Sequence, residues 1–204
     1  MLKFKYKKMK YKLTLLFVVI MCTTINLTAQ EMVKGTNFLS LGVGPSNNYY
    51  YGSYSGGTPA IRFSFDHGFK KAGPGTISLG GSLGLFIKYI KSWNINKNPP
   101  FDKFEYTQHW TYLSVVFRVG YYYNFGKLIK APELNAYAGV GTGILHRFYS
   151  YDGDYPYYTP YKEGTDFQVD VYFGANYFLS KKFALYTEFG YDISYVTLGM
   201  TFNL

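Results

Sequence analysis

Residues 76–90 read TISLGGSLGLFIKYI, and this stretch decides the fold. Every second residue gives Ile77, Leu79, Gly81, Leu83, Leu85, Ile87 and Tyr89 on one side. Thr76, Ser78, Gly80, Ser82, Gly84, Phe86 and Lys88 fall on the other. A period of two with one apolar and one polar face is the signature of a β-strand. Working outward, the same alternation recurs at 37–44, 59–67, 107–124, 134–148, 165–178, 183–191 and 195–204. Examples are Ile61, Phe63 and Phe65 against Arg62, Ser64 and Asp66, and Val169, Val171 and Phe173 against Gln168, Asp170 and Tyr172. Eight strands are therefore predicted.

The connections fall into two kinds. Those at 45–58, 91–106 and 149–164 are long and rich in Tyr, Asn, Gly, Pro and Asp. Those at 68–75, 126–133 and 179–182 are shorter and mostly basic, with Lys70, Lys71, Lys127, Lys130, Lys181 and Lys182. The link at 191–195 falls on the long-loop side yet is short. Long loops at one rim and short turns at the other is the plan of a transmembrane β-barrel. A soluble ligand-binding barrel would turn the apolar faces inward and clothe the outside in charge. The polar face of 76–90 argues against that, because four of its seven residues are Gly or Ser and one is charged. Small side chains suit a crowded interior. Tyr89, Trp93, Tyr121, Tyr123 and Tyr177 near the ends of the apolar strips suit membrane-interface girdles. The predicted fold class is all-β: an eight-stranded antiparallel up-and-down transmembrane β-barrel, closed because lipid tolerates no open sheet edge.

The N-terminus carries an address. Residues 1–12 hold six lysines, Leu13–Cys22 is an apolar run, and a polar stretch ends Leu27-Thr28-Ala29. That pattern is a cleaved secretory signal peptide over 1–29, too short in its apolar part for a span of about 20 residues. Residues 30–204 then form the barrel domain. Met21 precedes Cys22, where a lipoprotein signal carries Gly, Ala or Ser, which argues against lipidation. Cleavage at Ala29 leaves no cysteine, hence no disulfide, thiol nucleophile or Cys-based metal site.

Composition agrees. The 204 residues carry a net charge of +9, but six of the 21 basic residues lie in the first twelve. The remainder has 15 basic against 12 acidic residues, which is no nucleic-acid-binding surface. Charged residues are 16% of the chain, against about 25% in soluble domains. With 24 Tyr, 18 Phe and 2 Trp the chain is not disordered.

The signal peptide, the alternating strands and the tail 178–204 (FLSKKFALYTEFGYDISYVTLGMTFNL) resemble the small outer-membrane β-barrels of Gram-negative bacteria, the OmpX-like, PorT-like and OmpA-barrel-like group. The resemblance implies localisation in the cell outer membrane, with outer-membrane lipid as surroundings. It also implies the barrel-assembly machinery as a partner during biogenesis, reading the closing strand Val196–Leu204. Here the aromatic Phe202 stands third from the end, where the family usually ends on an aromatic. The family's roles vary, so it implies no single activity.

Chemical motifs are sparse. His67, His109 and His146 show no metal-ligand spacing, and no cofactor is expected. His146, Ser150 and Asp152 form the nearest Ser-His-acid set, but four residues along a strand separate His146 and Ser150 by about 13 Å, beyond hydrogen-bond reach. Asp152-Gly153-Asp154 invites a calcium reading to which Glu163 and Asp166 could contribute, but a solvated loop is the simpler expectation. Gly139-Val140-Gly141-Thr142-Gly143 lacks the Lys and helix of a phosphate loop. The inward face instead collects Arg62, Asp66, Lys88, Arg118, Asp170 and Glu188, a polar network that plugs the lumen or lines a narrow path, with Arg118 and Glu188 as an expected pair. The long loops carry Tyr49, Tyr50, Tyr51, Tyr54, Tyr151, Tyr155, Tyr157 and Tyr158 among small polar residues, the composition of adaptable binding surfaces. Three functions stay open: a non-enzymatic structural or surface-interaction protein meeting an extracellular protein or glycan, a narrow pore or export-assisting barrel, and a lipid-modifying enzyme.

Overall fold

The computed structural model describes residues 31–47, 55–95, 103–153 and 163–204. Residues 1–29, expected to be a signal peptide, and the tyrosines at 49, 50, 51, 54, 155, 157 and 158 lie outside the described residues. The strands of the ring are β1 (Asn37–Gly44), β2 (Ala60–Ala72), β3 (Gly75–Ile95), β4 (Lys103–Tyr123), β5 (Leu134–Gly153), β6 (Gly164–Ser180), β7 (Phe183–Gly190) and β8 (Val196–Asn203), and a two-residue strand, Gly56–Gly57, pairs with Tyr89 and Lys88 of β3. Each ring strand pairs antiparallel with its successor. β8 returns to β1, with Phe38 opposite Asn203 and Val43 opposite Leu198, so the ring closes. Leu204 N donates to Asn37 O at 3.0 Å beside that seam. The result is an eight-stranded antiparallel up-and-down β-barrel. Closure leaves each strand hydrogen-bonded on both sides through the barrel wall, which is the condition for surviving in hydrocarbon.

The faces divide as the alternation predicts. Phe117, Val140, Val171 and Leu198 point outward and are 54%, 55%, 59% and 60% exposed. Their inward neighbours Val116, Arg118, Asp170 and Thr197 are buried to 2% or less. A continuous apolar exterior over a polar interior is the membrane arrangement; a monomeric soluble protein does not expose such a belt.

Two boundaries differ from expectation. The connection expected at 68–75 is mostly strand: β2 runs to Ala72, and the turn is Gly73-Pro74, with Gly73 at φ +56°. The register shifts between Gly68 and Lys70, so Phe69 is a bulge. The bulge breaks the alternation, and Lys70-Lys71 reads as loop although it is laddered to Ile77 and Thr76. The long connections are also partly strand, because β3 and β4 stay paired to Ile95 and Lys103, and β5 follows β4 to Gly153. β3 and β4 have 21 residues each and β5 has 20, against 8 in each of β1, β7 and β8. At about 3.3 Å per residue and ~45° tilt, such strands rise roughly 20 Å past a ~30 Å hydrocarbon core. They form a projecting three-stranded sheet on one side of the long-loop rim.

The interior is filled in three layers. Near the short-turn end Met32, Phe38, Tyr122, Tyr137, Tyr172 and Phe178 pack together. Near the long-loop end Ala60, Phe86, Trp110, Tyr112, Leu145 and Ile193 do so. The charged residues lie between.

Candidate functional site

Glu188 on β7 is the centre of the lumen network. Its Oε1 accepts from Arg62 Nη1, and its Oε2 accepts from Arg118 Nη2 at 2.6 Å and from Tyr137 OH at 3.0 Å. Arg62 Nη2 also donates to Asp192 Oδ2 at 2.7 Å. The Arg118 guanidinium carbon stands 3.8 Å from the Tyr172 ring centre, a cation–π contact that adds to its pairing. Asp66 Oδ2 accepts from Tyr122 OH at 3.1 Å. All of these side chains are buried. The Asp170 carboxylate is fully buried, and neither of its oxygens has a hydrogen-bond partner among the described residues.

Of the six charges predicted to line the lumen, Arg62, Arg118 and Glu188 meet directly, and Asp66 and Asp170 are buried on the same inner wall. Lys88 is not brought into this cluster. It stands at the long-loop mouth, half-buried, with Nζ 3.5 Å from Ser46 O. It stands opposite Trp110 and one inward position beyond Phe86, at the mouth side of the aromatic layer, and this position explains the difference.

Asp192 belongs to the network although alternation did not place it there. The short link after β7 folds inward, and Asp192, Ile193 and Ser194 are all buried. Asp192 Oδ1 accepts from Ser114 Oγ at 3.3 Å, from Gln168 Nε2 and from Ile193 N at 2.6 Å. Asn47 N donates to Ile193 O at 2.9 Å, and Asn47 Nδ2 to Asp192 O. The signal was the anomalous shortness of 191–195 on the long-loop side. The described interior therefore holds two guanidinium groups against four carboxylates.

Glycine makes room for the large rings. A Cβ on Gly139 would stand 2.4 Å from Tyr172 OH, and one on Gly174 would stand 2.6 Å from the Tyr137 ring. The glycine run 139–143 thus serves the crowded lumen and not a phosphate.

The projecting sheet is aromatic. On its inner face Trp110 packs on Tyr149 with ring centres 5.5 Å apart, and Tyr106 stacks on Tyr151 at 5.8 Å. On its outer face Lys91 Nζ lies 5.7 Å from the Tyr89 ring centre, and His109 packs beside Tyr89. A cleft of about 410 Å³ at the tip is lined by Lys91, Trp93, Glu105, Tyr106 and Asp152 among others.

The remaining candidates do not converge. His67 Nδ1 is 2.7 Å from Asn37 Oδ1 and His146 Nδ1 is 2.7 Å from Thr165 Oγ1. Across the ladder Leu113 stands opposite His146, whereas Ser150 stands opposite His109. Asp152 and Gly153 end β5, and no group of three His, Cys, Asp or Glu residues able to hold a metal ion occurs among the described residues.

A closed barrel with an apolar exterior, a charge-filled interior and unequal rims belongs to the outer-membrane type of β-barrel architecture. No protein-family profile and no curated protein matches the chain. Among solved structures it is similar to Ail, the attachment invasion locus protein of Yersinia pestis. The crystal structure of Ail with the heparin analogue sucrose octasulfate gives 11% identity and a TM-score of 0.37, covering 84% of this chain and 96% of that one. The outer-membrane protein Ail in a phospholipid bilayer nanodisc gives 13% and 0.39, covering 84% and 100%. The likeness is one of chain path; the barrel is established by the closed strand ring itself.

Proposed function

We propose that this chain is a non-enzymatic integral outer-membrane protein whose projecting sheet and Tyr-rich long loops meet an extracellular protein or glycan. The observation that carries the reading is the outward apolar belt over the packed polar lumen, continued on one side by the aromatic sheet. Residues 1–29 direct export, the assembly machinery inserts the barrel, and outer-membrane lipid surrounds it. Short turns face the periplasm and long loops the outside. The described part of the outer rim carries Lys91, Lys103 and Arg147 against Glu105, Asp152, Glu163 and Asp166. It has no basic excess for a sulfated glycan, so a protein surface or a neutral sugar face stacked on Trp93 and the tyrosines fits it better.

Gel mobility of the outer-membrane fraction, with and without boiling, tests the membrane half. A heat-dependent shift is expected; a protein free in the periplasm that shows none refutes it. Cells displaying the wild type or a chain trimmed in 45–58 and 149–164 test the other half, by adhesion to immobilised matrix proteins and glycans. Adhesion lost on trimming, with the shift retained, is expected.

A further inference from the structure

The short-turn rim concentrates positive charge. Lys34, Lys70, Lys71, Lys127, Lys130, Lys181 and Lys182 are all exposed there, against the acids Glu31 and Glu133. The segments of the opposite rim, 91–106 and 147–166, contain five basic and six acidic residues. The small net charge beyond residue 30 therefore conceals a strong polarity along the barrel axis. A cleft of about 400 Å³ opens at this rim, lined by Lys34, Lys71, Lys127 and the carboxylate Glu31 together with Thr76, Asn124 and Asn135. Lys127 Nζ pairs with Glu31 Oε1 within the cleft, which leaves it with two lysines beyond that pair. Beside it the turn after β4 exposes Phe125 before Lys127, and Leu128 and Ile129 between Lys127 and Lys130, with Leu128 66% exposed. Apolar tips interleaved with lysines, at the level where the apolar belt ends, form an interfacial pattern. The tips enter the acyl boundary while the ammonium groups reach the headgroups.

We propose that the short-turn rim is a binding surface for anionic phospholipid headgroups, held by the exposed ammonium groups of Lys34, Lys70, Lys71 and Lys130 beside the apolar tips. This rests on the membrane reading above. The partner is identified by charge and by level: a lysine ring next to an apolar belt faces one leaflet, and anionic lipid gains from each nearby lysine. The exposed apolar tips favour a lipid surface over a free anion.

The test uses the folded mature barrel in phosphatidylcholine bilayers doped with spin-labelled phosphatidylglycerol or spin-labelled phosphatidylcholine. The wild type should hold several-fold more of the phosphatidylglycerol probe in the motionally restricted shell, and high salt should reduce the excess. Replacing Lys34, Lys70, Lys71 and Lys130 by Gln should abolish the preference while the heat-dependent gel shift persists, and Arg at the same positions should retain it. No preference in the wild type, or a preference undiminished in the Gln variant, overturns the proposal. If neither probe is restricted and no gel shift is seen, the membrane reading itself fails and this inference falls with it.

Discussion

Asp192, in the short link after β7, accepts a 2.7 Å hydrogen bond from Arg62, which precedes it by 130 residues. The contact ties the inward-folded link to β2, two strands round the ring from β8, and shares Arg62 between Asp192 and Glu188. Asp192→Ala removes one partner of a buried guanidinium that keeps the other. The expected loss is about 1.5–3 kcal/mol, the range of a hydrogen bond to a charged group, read as a lower denaturant midpoint in detergent micelles.

Glu188→Ala should cost more, because Arg62 and Arg118 both lose a carboxylate while staying buried. A penalty of about 3–5 kcal/mol is expected for a buried charge stripped of its partner. The same denaturant titration, run beside Asp192→Ala, checks the order; an Asp192 variant weaker than the Glu188 variant would contradict the arrangement.

Val171 and Val140 stand opposite one another on the outer wall, one residue from Asp170 and Gly141. Val171→Arg discriminates between solvents. Facing lipid near the bilayer midplane it should destabilise by about 2–4 kcal/mol, whereas on a water-facing surface it should be within about 0.5 kcal/mol of neutral. Folding yields in lipid vesicles over a denaturant series report the difference.

Gly139→Val should lower the fraction of chain reaching the heat-shifted form. Its Cβ would meet both Tyr172 OH and Val119 O at 2.4 Å, and the backbone oxygen cannot turn away as a side chain can. Overpacking of this kind costs about 1–3 kcal/mol. Pairing it with Tyr172→Phe should recover only part of the loss, because the carbonyl contact remains.

Planar-bilayer recordings address the pore alternative. With aromatic layers above and below the Arg62–Glu188–Arg118 cluster, the wild type should give no stable ion conductance. Steady channel openings would favour transport instead.

Much of this architecture was legible because lipid and lumen impose opposite demands on successive residues. Ile77 and Ser78 cannot exchange places, so parity alone located the inner wall with Arg62, Asp66, Arg118, Asp170 and Glu188. Legibility ended where that contrast ended. Above the membrane both faces of β3, β4 and β5 are wet, so Lys91–Trp93 and Tyr149–Gly153 read as loop although they are strand. Lys88 obeys the parity of its strand yet lies at the mouth side of the aromatic layer, since parity gives the face but not the depth. Asp192 had no parity at all, and only the tertiary fold turns that link inward.

The seam between β1 and β8 has a consequence for how the molecule comes into being. The first and last strands of the ring are each other's neighbours, so no partial set of strands encloses anything. Until β8 is delivered, β1 and β7 present raw backbone that hydrocarbon cannot solvate. A chain that stops short of Val196 is an unsealed ribbon, excluded from the bilayer by its own two margins. Connectivity thereby acts as an inspection step: admission to lipid is withheld until the last strand has been made.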